Sequence, residues 1–167
     1  MKTECASFAP SIGPACRVLV LGSMPGAVSL RAARYYAHPR NAFWPVLYAL
    51  WGRETPDEKY EDRLAFALSH GVALWDAARA CFRDHSSDAT IRAAKPNDFA
   101  ALFAEYPAVH TVFCNGLTAY ALFLRLAGDS AGGRPVVALP STSPAHTLPF
   151  AQKLAAWRAL RAAAEEE

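Results

Sequence analysis

The chain has 167 residues, 53% of them hydrophobic, and a formal net charge of +2. That length can bury one sizeable core but not comfortably two, and so small a charge announces no nucleic-acid partner by itself. No apolar run approaches the roughly 20 residues of a transmembrane helix, and the first 14 residues lack a signal-peptide core, so a soluble, cytoplasmic protein is expected, nucleoid-associated if bacterial.

Residues 1–16 contain two prolines and little periodicity and read as an N-terminal arm; residues 17–167 read as a single domain. Arg17 to Ser23 is the first buried strand, and it empties into the turn GSMPG. After the stretch YYAHPRNAFWP, Asn41 can cap a helix running through Leu50, with Pro45 near its first turn and Gly52 ending it. Asp57 to Ser69 forms an amphipathic helix, with Leu64 and Leu68 one turn apart. Val72 to Trp75 is the next strand, closing on Asp76, and the polar segment CFRDHSSDATIRAAKPND reads as a long excursion.

Asn97 then caps a helix carrying Phe99, Leu102 and Phe103. Val109 to Cys114 is a third strand, turned by Asn115 and Gly116 into a helix from Leu117 to Leu126 that Gly128 closes. Pro135 to Leu139 is a fourth, followed by the loop PSTSPAHT and a last helix with Leu154, Trp157 and Leu160 on one side and a solvated EEE end. This alternation predicts right-handed crossovers over a mainly parallel sheet of about four strands, a three-layer α/β/α domain. Cys5, Cys16, Cys81 and Cys114 form no CxxC pair, so reduced thiols are expected and neither a disulfide framework nor a metal.

In such a sheet the loops after the first and fourth strands open at one carboxyl edge and can line one cleft. Gly22 and Gly26 let backbone approach a ligand, and the N–H groups between them can face an anion; Ser141, Thr142, Ser143 and His146 suit phosphate oxygens. From Arg17 to Arg53 there are five arginines, no lysine and no acid, interleaved with Tyr35, Tyr36, Phe43 and Trp44. Cations beside aromatic faces are the means of gripping nucleic acid. The chain lacks GxGxxG, GxxxxGK[ST] and GxSxG, so no nicotinamide cofactor, ATP site or nucleophile elbow is indicated.

Taken in order, GSMPG, YYAHPRNAFW, ALWDAARACFR, FCNGLTA and STSPAH resemble the motif series of the uracil-DNA glycosylase superfamily, closest to its hypoxanthine (deoxyinosine) DNA glycosylase branch. The resemblance runs from about Arg17 to His146, and HPRNAFW is its most specific element. It implies a monofunctional, cofactor-free and metal-free base-excision repair enzyme, acting as a monomer on DNA containing deaminated bases. The N-glycosidic bond of a flipped-out base, hypoxanthine first, would be hydrolysed to leave an abasic site. No lysine lies in either cleft loop, which fits the absence of a Schiff-base step.

Met24 stands where the mismatch-specific uracil branch carries a water-positioning Asn and other branches an acid. The resemblance therefore assigns catalysis to Asn41, the Asn after AHPR, a residue that could equally serve as a helix cap. It further implies a base held by Gly22, Ser23 and Met24, stacked on Tyr36 with Tyr35 and Phe43 as alternatives, and read by Asp76 accepting from N1–H. Ser141, Ser143 and His146 would clamp phosphates and Arg40, with Arg31 and Arg34, would follow the backbone. His38 and His146 are candidates for protonating the leaving base, and a stack-filling wedge is expected between His146 and Phe150. Three other readings stay open: a uracil or G-mismatch glycosylase, a catalytically silent DNA-binding module, and a small-molecule enzyme using residues 22–26 for a phosphorylated ligand.

Overall fold

In the computed structural model, which describes residues 2–166, the elements run β1 (Thr3–Ala6), β2 (Val18–Gly22), α1 (Ala27–Ala32), α2 (Phe43–Leu50), α3 (Tyr60–Ser69), β3 (Val72–Asp76), β4 (Ala78–Arg83), β5 (Arg92–Pro96), α4 (Phe99–Glu105), β6 (Thr111–Asn115), α5 (Leu117–Ala127), β7 (Val136–Leu139) and α6 (Phe150–Ala164). The expected four-stranded parallel sheet is present, in the order β3-β2-β6-β7. Its central strand explains the unbroken apolar run VLVL, because a parallel strand covered on both faces has no solvent side to keep polar.

Val18 and Val20, with Val72, Leu74 and Phe113, face one helical layer and pack on Trp44, Leu47, Ala67, Trp157 and Leu160 from α2, α3 and α6. Leu19 and Leu21, with Ala73, Trp75, Val112 and Cys114, face the other and pack on Phe99, Phe103, Leu122 and Phe123 from α4 and α5. The three-layer reading therefore holds. All four cysteines are free and buried, and burial pushes the Cys114 thiol up to about 12. Among the described residues no helix is long and apolar enough to cross a membrane.

The polar segment expected as an excursion is instead a second sheet. β4 and β5 pair antiparallel, and β1 joins β4 on its other side with Cys5 opposite Cys81. Residues 3–6, expected as part of an arm, are thus an edge strand, and Ser11 makes a further bridge to Leu74. The hydrophobic pattern misleads here because it is inverted: Phe82 is 43% exposed while Arg83 is fully buried. Bulges between Ala78 and Phe82 break the simple period as well.

Two expected caps move by one residue. Asp98, not Asn97, caps α4, its carboxylate accepting from the Ala101 N–H at 3.0 Å. Asn97 is buried and donates its amide to the Asp76 carbonyl at 2.8 Å. The N-cap position of α2 falls on Ala42, while Asn41 just before it accepts from the Phe43 N–H at 2.9 Å. The short helix α1 was not anticipated; of the acidic tail, Glu165 caps α6 and Glu167 lies outside the described residues.

The parallel register sets Gly22 beside Asp76 and Asn115 beside Leu139 at one edge of the sheet. Behind that edge Trp157 is fully buried, and its indole N–H donates to the Pro140 carbonyl at 2.9 Å, anchoring the loop that follows β7. Trp157→Ala should lower the unfolding free energy by about 4 kcal/mol, the usual cost of deleting a buried large aromatic. Urea denaturation checks this, and a loss no larger than that of a surface substitution contradicts it.

Candidate active site

The cleft forms where the carboxyl edge meets the second sheet. It encloses about 200 Å³ and is lined by residues 22–29, by Tyr35, Tyr36, His38, Asn41 and Asp76, by Arg83, Ser86 and Asp88, and by Asn115 with residues 141–144. The two loops expected to meet therefore do so.

Asp76 is almost wholly buried, only 3% exposed. A Cβ on Gly22 would lie 2.6 Å from its Oδ1, so glycine at the end of β2 is what admits the carboxyl. Its Oδ2 accepts from the Ser7 hydroxyl at 2.8 Å. Oδ1 has no donor among the described residues and faces the cleft beside Gly22. Burial pushes the Asp76 carboxyl up to about 7; Asp88 adds to the rise, while the Ser7 hydroxyl and Arg83 oppose it.

A buried arginine fixes the first loop. The Arg83 guanidinium donates to the carbonyls of Met24, Pro25 and His85 and pairs with Asp88 at 3.4 Å. Asp88 in turn accepts from the Ser23 hydroxyl at 2.6 Å. The Gly22 and Ser23 carbonyls accept from Ala77 and Ala78, and that of Gly26 from Leu30. With every carbonyl of residues 22–26 turned into the protein, the N–H groups of Ser23, Met24 and Gly26 have no acceptor among the described residues. A turn of this kind presents backbone donors to a ligand.

Asn41 lines the cleft half-buried, its Oδ1 held by the Phe43 N–H and its own N–H donating to the His38 carbonyl at 2.9 Å. The next residue ties it to the opposite loop, the Ala42 N–H donating to the Thr142 carbonyl at 2.9 Å. Thr142 is itself clamped by Asn115, which donates to its hydroxyl at 2.8 Å and accepts from its N–H at 2.9 Å. Three chain segments are thereby stitched together beneath the cleft.

Tyr36 has a positive φ of 55°, a strained conformation for a bulky residue, and stacks one ring face on Phe43 with centroids 3.9 Å apart. Its buried hydroxyl meets no partner at hydrogen-bond geometry, although the Asn115 amide, which gives one of its two N–H groups to Thr142, lies close by and favours the phenolate. Burial, with the nearby Asp76 charge, raises its ionisation well above the usual phenol range. Phe43, expected as a base contact, is wholly buried behind Tyr36 and backs the stacking ring instead. Tyr35 is buried too, its hydroxyl donating to the Ala9 carbonyl at 2.9 Å.

Met24 lines the cleft with its side chain in the core beneath, and Ser23 is spent on Asp88. Ser141 and Ser143 line the opposite wall, each hydroxyl oxygen accepting a loop N–H. Arg40 and His146 lie exposed outside that lining; His146 borders an adjoining cavity with Leu117 and Leu148, and its carbonyl accepts from Lys153 at 2.8 Å. Phe150, at the end of the segment expected to hold the wedge, is 45% exposed. Ser7, Arg83, Ser86, Asp88 and Asn115 are site residues that sequence reasoning missed. Of these only Asn115 carried a signal, the polar side chain closing a strand in FCNG.

The profile of a family described as the Uracil DNA glycosylase superfamily matches residues 10–161. A protein of Methanosarcina barkeri named Hypoxanthine DNA glycosylase is 35% identical over 109 residues, 65% of this chain and 69% of that one. One of the same name from Methanosarcina acetivorans is 33% identical over 99 residues, covering 59% and 63% of the two chains. A solution NMR structure from M. acetivorans, described as a candidate uracil DNA glycosylase, superposes with a TM-score of 0.83 at 28% identity, covering 98% of this chain and all of that one.

The raised Asp76 ionisation has a stability consequence. Below about pH 4 the carboxyl is neutral in both folded and unfolded chains; between there and about 7 only the folded chain holds the proton, so stability falls as pH rises through that window. Asp76→Asn should therefore gain on the wild type from pH 4 to 8, measured as the difference in urea midpoint free energies; a difference independent of pH contradicts it.

Proposed function

Because the chain belongs to the uracil DNA glycosylase superfamily, we propose that it is a monofunctional DNA glycosylase that releases hypoxanthine from deoxyinosine in DNA. The observation that carries this reading is the buried Asp76 carboxylate, with one oxygen free in a cleft of about 200 Å³ that Asn41 also lines. An ionised carboxylate accepts from the N1–H of hypoxanthine and meets only a lone pair at N1 of adenine. The relatives named Hypoxanthine DNA glycosylase support the same base. Uracil offers a like N–H beside a carbonyl, which makes uracil-DNA glycosylase activity the second reading, supported by the description of the NMR structure.

In this reading a nucleotide turned out of the duplex enters with its base against Tyr36, while the Ser141 and Ser143 hydroxyls, with His146 and Arg40 on the rim, hold the flanking phosphates. Asn41 holds the attacking water. The Phe43 N–H fixes the amide, leaving Nδ2 and a second lone pair of Oδ1 for that task. An amide takes no proton at neutral pH, so the rate comes from positioning and from stabilising the departing base. The unpaired N–H groups of Ser23, Met24 and Gly26 are placed to receive its developing negative charge. The bond from the Phe43 N–H and catalysis at Asn41 are compatible, since that bond fixes the rotamer that catalysis uses.

Single-turnover release from matched duplexes carrying one deoxyinosine or one deoxyuridine tests the activity. Wild type should release hypoxanthine, and Asn41→Ala should slow release by about 10²-fold or more while DNA affinity stays within a few-fold. Release of uracil alone favours the second reading, and release of neither base overturns both. Across pH, kcat/KM for hypoxanthine should rise through about 7 as Asp76 ionises, and Asp76→Asn should remove that limb.

A further inference from the structure

We propose that Ser7, contributed by the N-terminal segment, is a positioning residue for base reading: its hydroxyl engages one oxygen of Asp76 and so aims the other into the cleft. This rests on the reading of Asp76 as the group that contacts the base. The hydrogen bond, from Ser7 Oγ to Asp76 Oδ2, is 2.8 Å long and spans 69 positions of sequence. With Oδ2 so engaged, the carboxyl is held with Oδ1 against the bare Cα of Gly22, and both residues line the cleft.

The segment carrying Ser7 is locked on both sides. Ser7 donates its N–H to the Arg79 carbonyl at 2.8 Å, continuing the pairing of Ala6 with Ala80. The Phe8 carbonyl accepts from the Trp75 indole at 2.9 Å, the Phe8 ring packs edge-on against Tyr35 at 5.2 Å, and the Ala9 carbonyl accepts from the Tyr35 hydroxyl. Ser7 is therefore a preorganised donor. A donor fixed before ligand arrives needs no reorganisation when the base does, which is how supporting hydrogen bonds sharpen a site.

The other groups acting on Asp76 come from different elements. Arg83 on β4 favours its charge and Asp88 opposes it; Tyr35 and Tyr36 from the loop before α2, and Tyr60 from α3, are neutral phenols within reach of its field; Asn97 binds only its backbone carbonyl. Ser7 is the one neutral side chain that donates directly to the carboxylate among the described residues.

The test uses the full-length protein with Ser7→Ala and Ser7→Thr beside wild type. The Asp76 carboxyl is titrated by carbon-13 NMR in the free protein, and kcat/KM for hypoxanthine release is measured across pH on a deoxyinosine duplex. Losing the donor should move the carboxyl midpoint and the acidic limb of kcat/KM upward together, by about one pH unit for a hydrogen bond to a charged group. Threonine, which keeps the hydroxyl, should return both towards wild type. A midpoint unmoved by Ser7→Ala overturns the assignment of Ser7. A midpoint that moves while the release profile does not overturns base reading by Asp76, and Ser7's part in it. Absence of release by wild type overturns the activity itself, while the titration still decides whether Ser7 governs the carboxyl.

Discussion

Removing a carboxylate from water costs several kcal/mol unless its surroundings return hydrogen bonds or opposite charge. Asp76 is buried to within 3% of full occlusion, and the site can be followed outward from the groups that make this tolerable. Gly22 gives it room, Ser7 gives one oxygen a donor, Arg83 supplies positive charge and Asn97 satisfies its carbonyl. These four come from the central strand, the N-terminal segment, the β-hairpin and the turn before α4. A single buried acid is what these four have in common, at the edge where the cleft forms. The compensation is incomplete, as its raised ionisation records.

The two sheets divide the work. The parallel sheet supplies a straight edge where Gly22, Asp76 and Asn115 end together, which any doubly covered sheet of this kind would do. The antiparallel sheet supplies the fixings, because Arg83 reaches from β4 to hold the carbonyls of Met24 and Pro25. Without that inward arginine the first loop would have to satisfy those carbonyls some other way, and its N–H groups would lose their common direction. Phe82 lies outward on the same strand, so apolar surface is left exposed in order to bring a cation in.

This inversion explains where sequence reading succeeded and where it failed. VLVLG, VALWD and TVFCN are buried on both faces, so their apolar runs name the strands and the edge at which they stop. GSMPG and STSPAH are short loops on that edge, and their convergence follows from topology. β4 and β5 are different: their burial comes from pairing and from bulges, their inward residues include an arginine, and no periodicity betrays them. Ser7 was hidden for another reason. A lone serine in a proline-containing stretch has no local signature, and its importance arises only when residues 3–6 pair across 70 or more positions with β4. Phe43 shows the opposite error, an aromatic whose motif suggested contact with a base but whose helix turns it inward, behind Tyr36.

Tyr36 and Asn41 together indicate how a site without a strong general base can still be effective. Tyr36 holds a left-handed backbone conformation and an unpaired buried hydroxyl, two features that each cost free energy in the resting protein. What they achieve is a ring stacked on Phe43 at 3.9 Å that lines the cleft. Asn41 is held by a backbone N–H at the start of α2, and α2 is tied through Ala42 and Thr142 to Asn115 at the end of β6. The Tyr36 ring and the Asn41 amide, the proposed stacking surface and water holder, are thus referenced to the same rigid edge as Asp76. In the proposed reaction, driven by departure of the base, where the transition state is an electron-poor sugar and an electron-rich leaving group, the protein would have only to hold base, sugar and water in place. Its stability is spent on that rigidity rather than on a stronger acid or base.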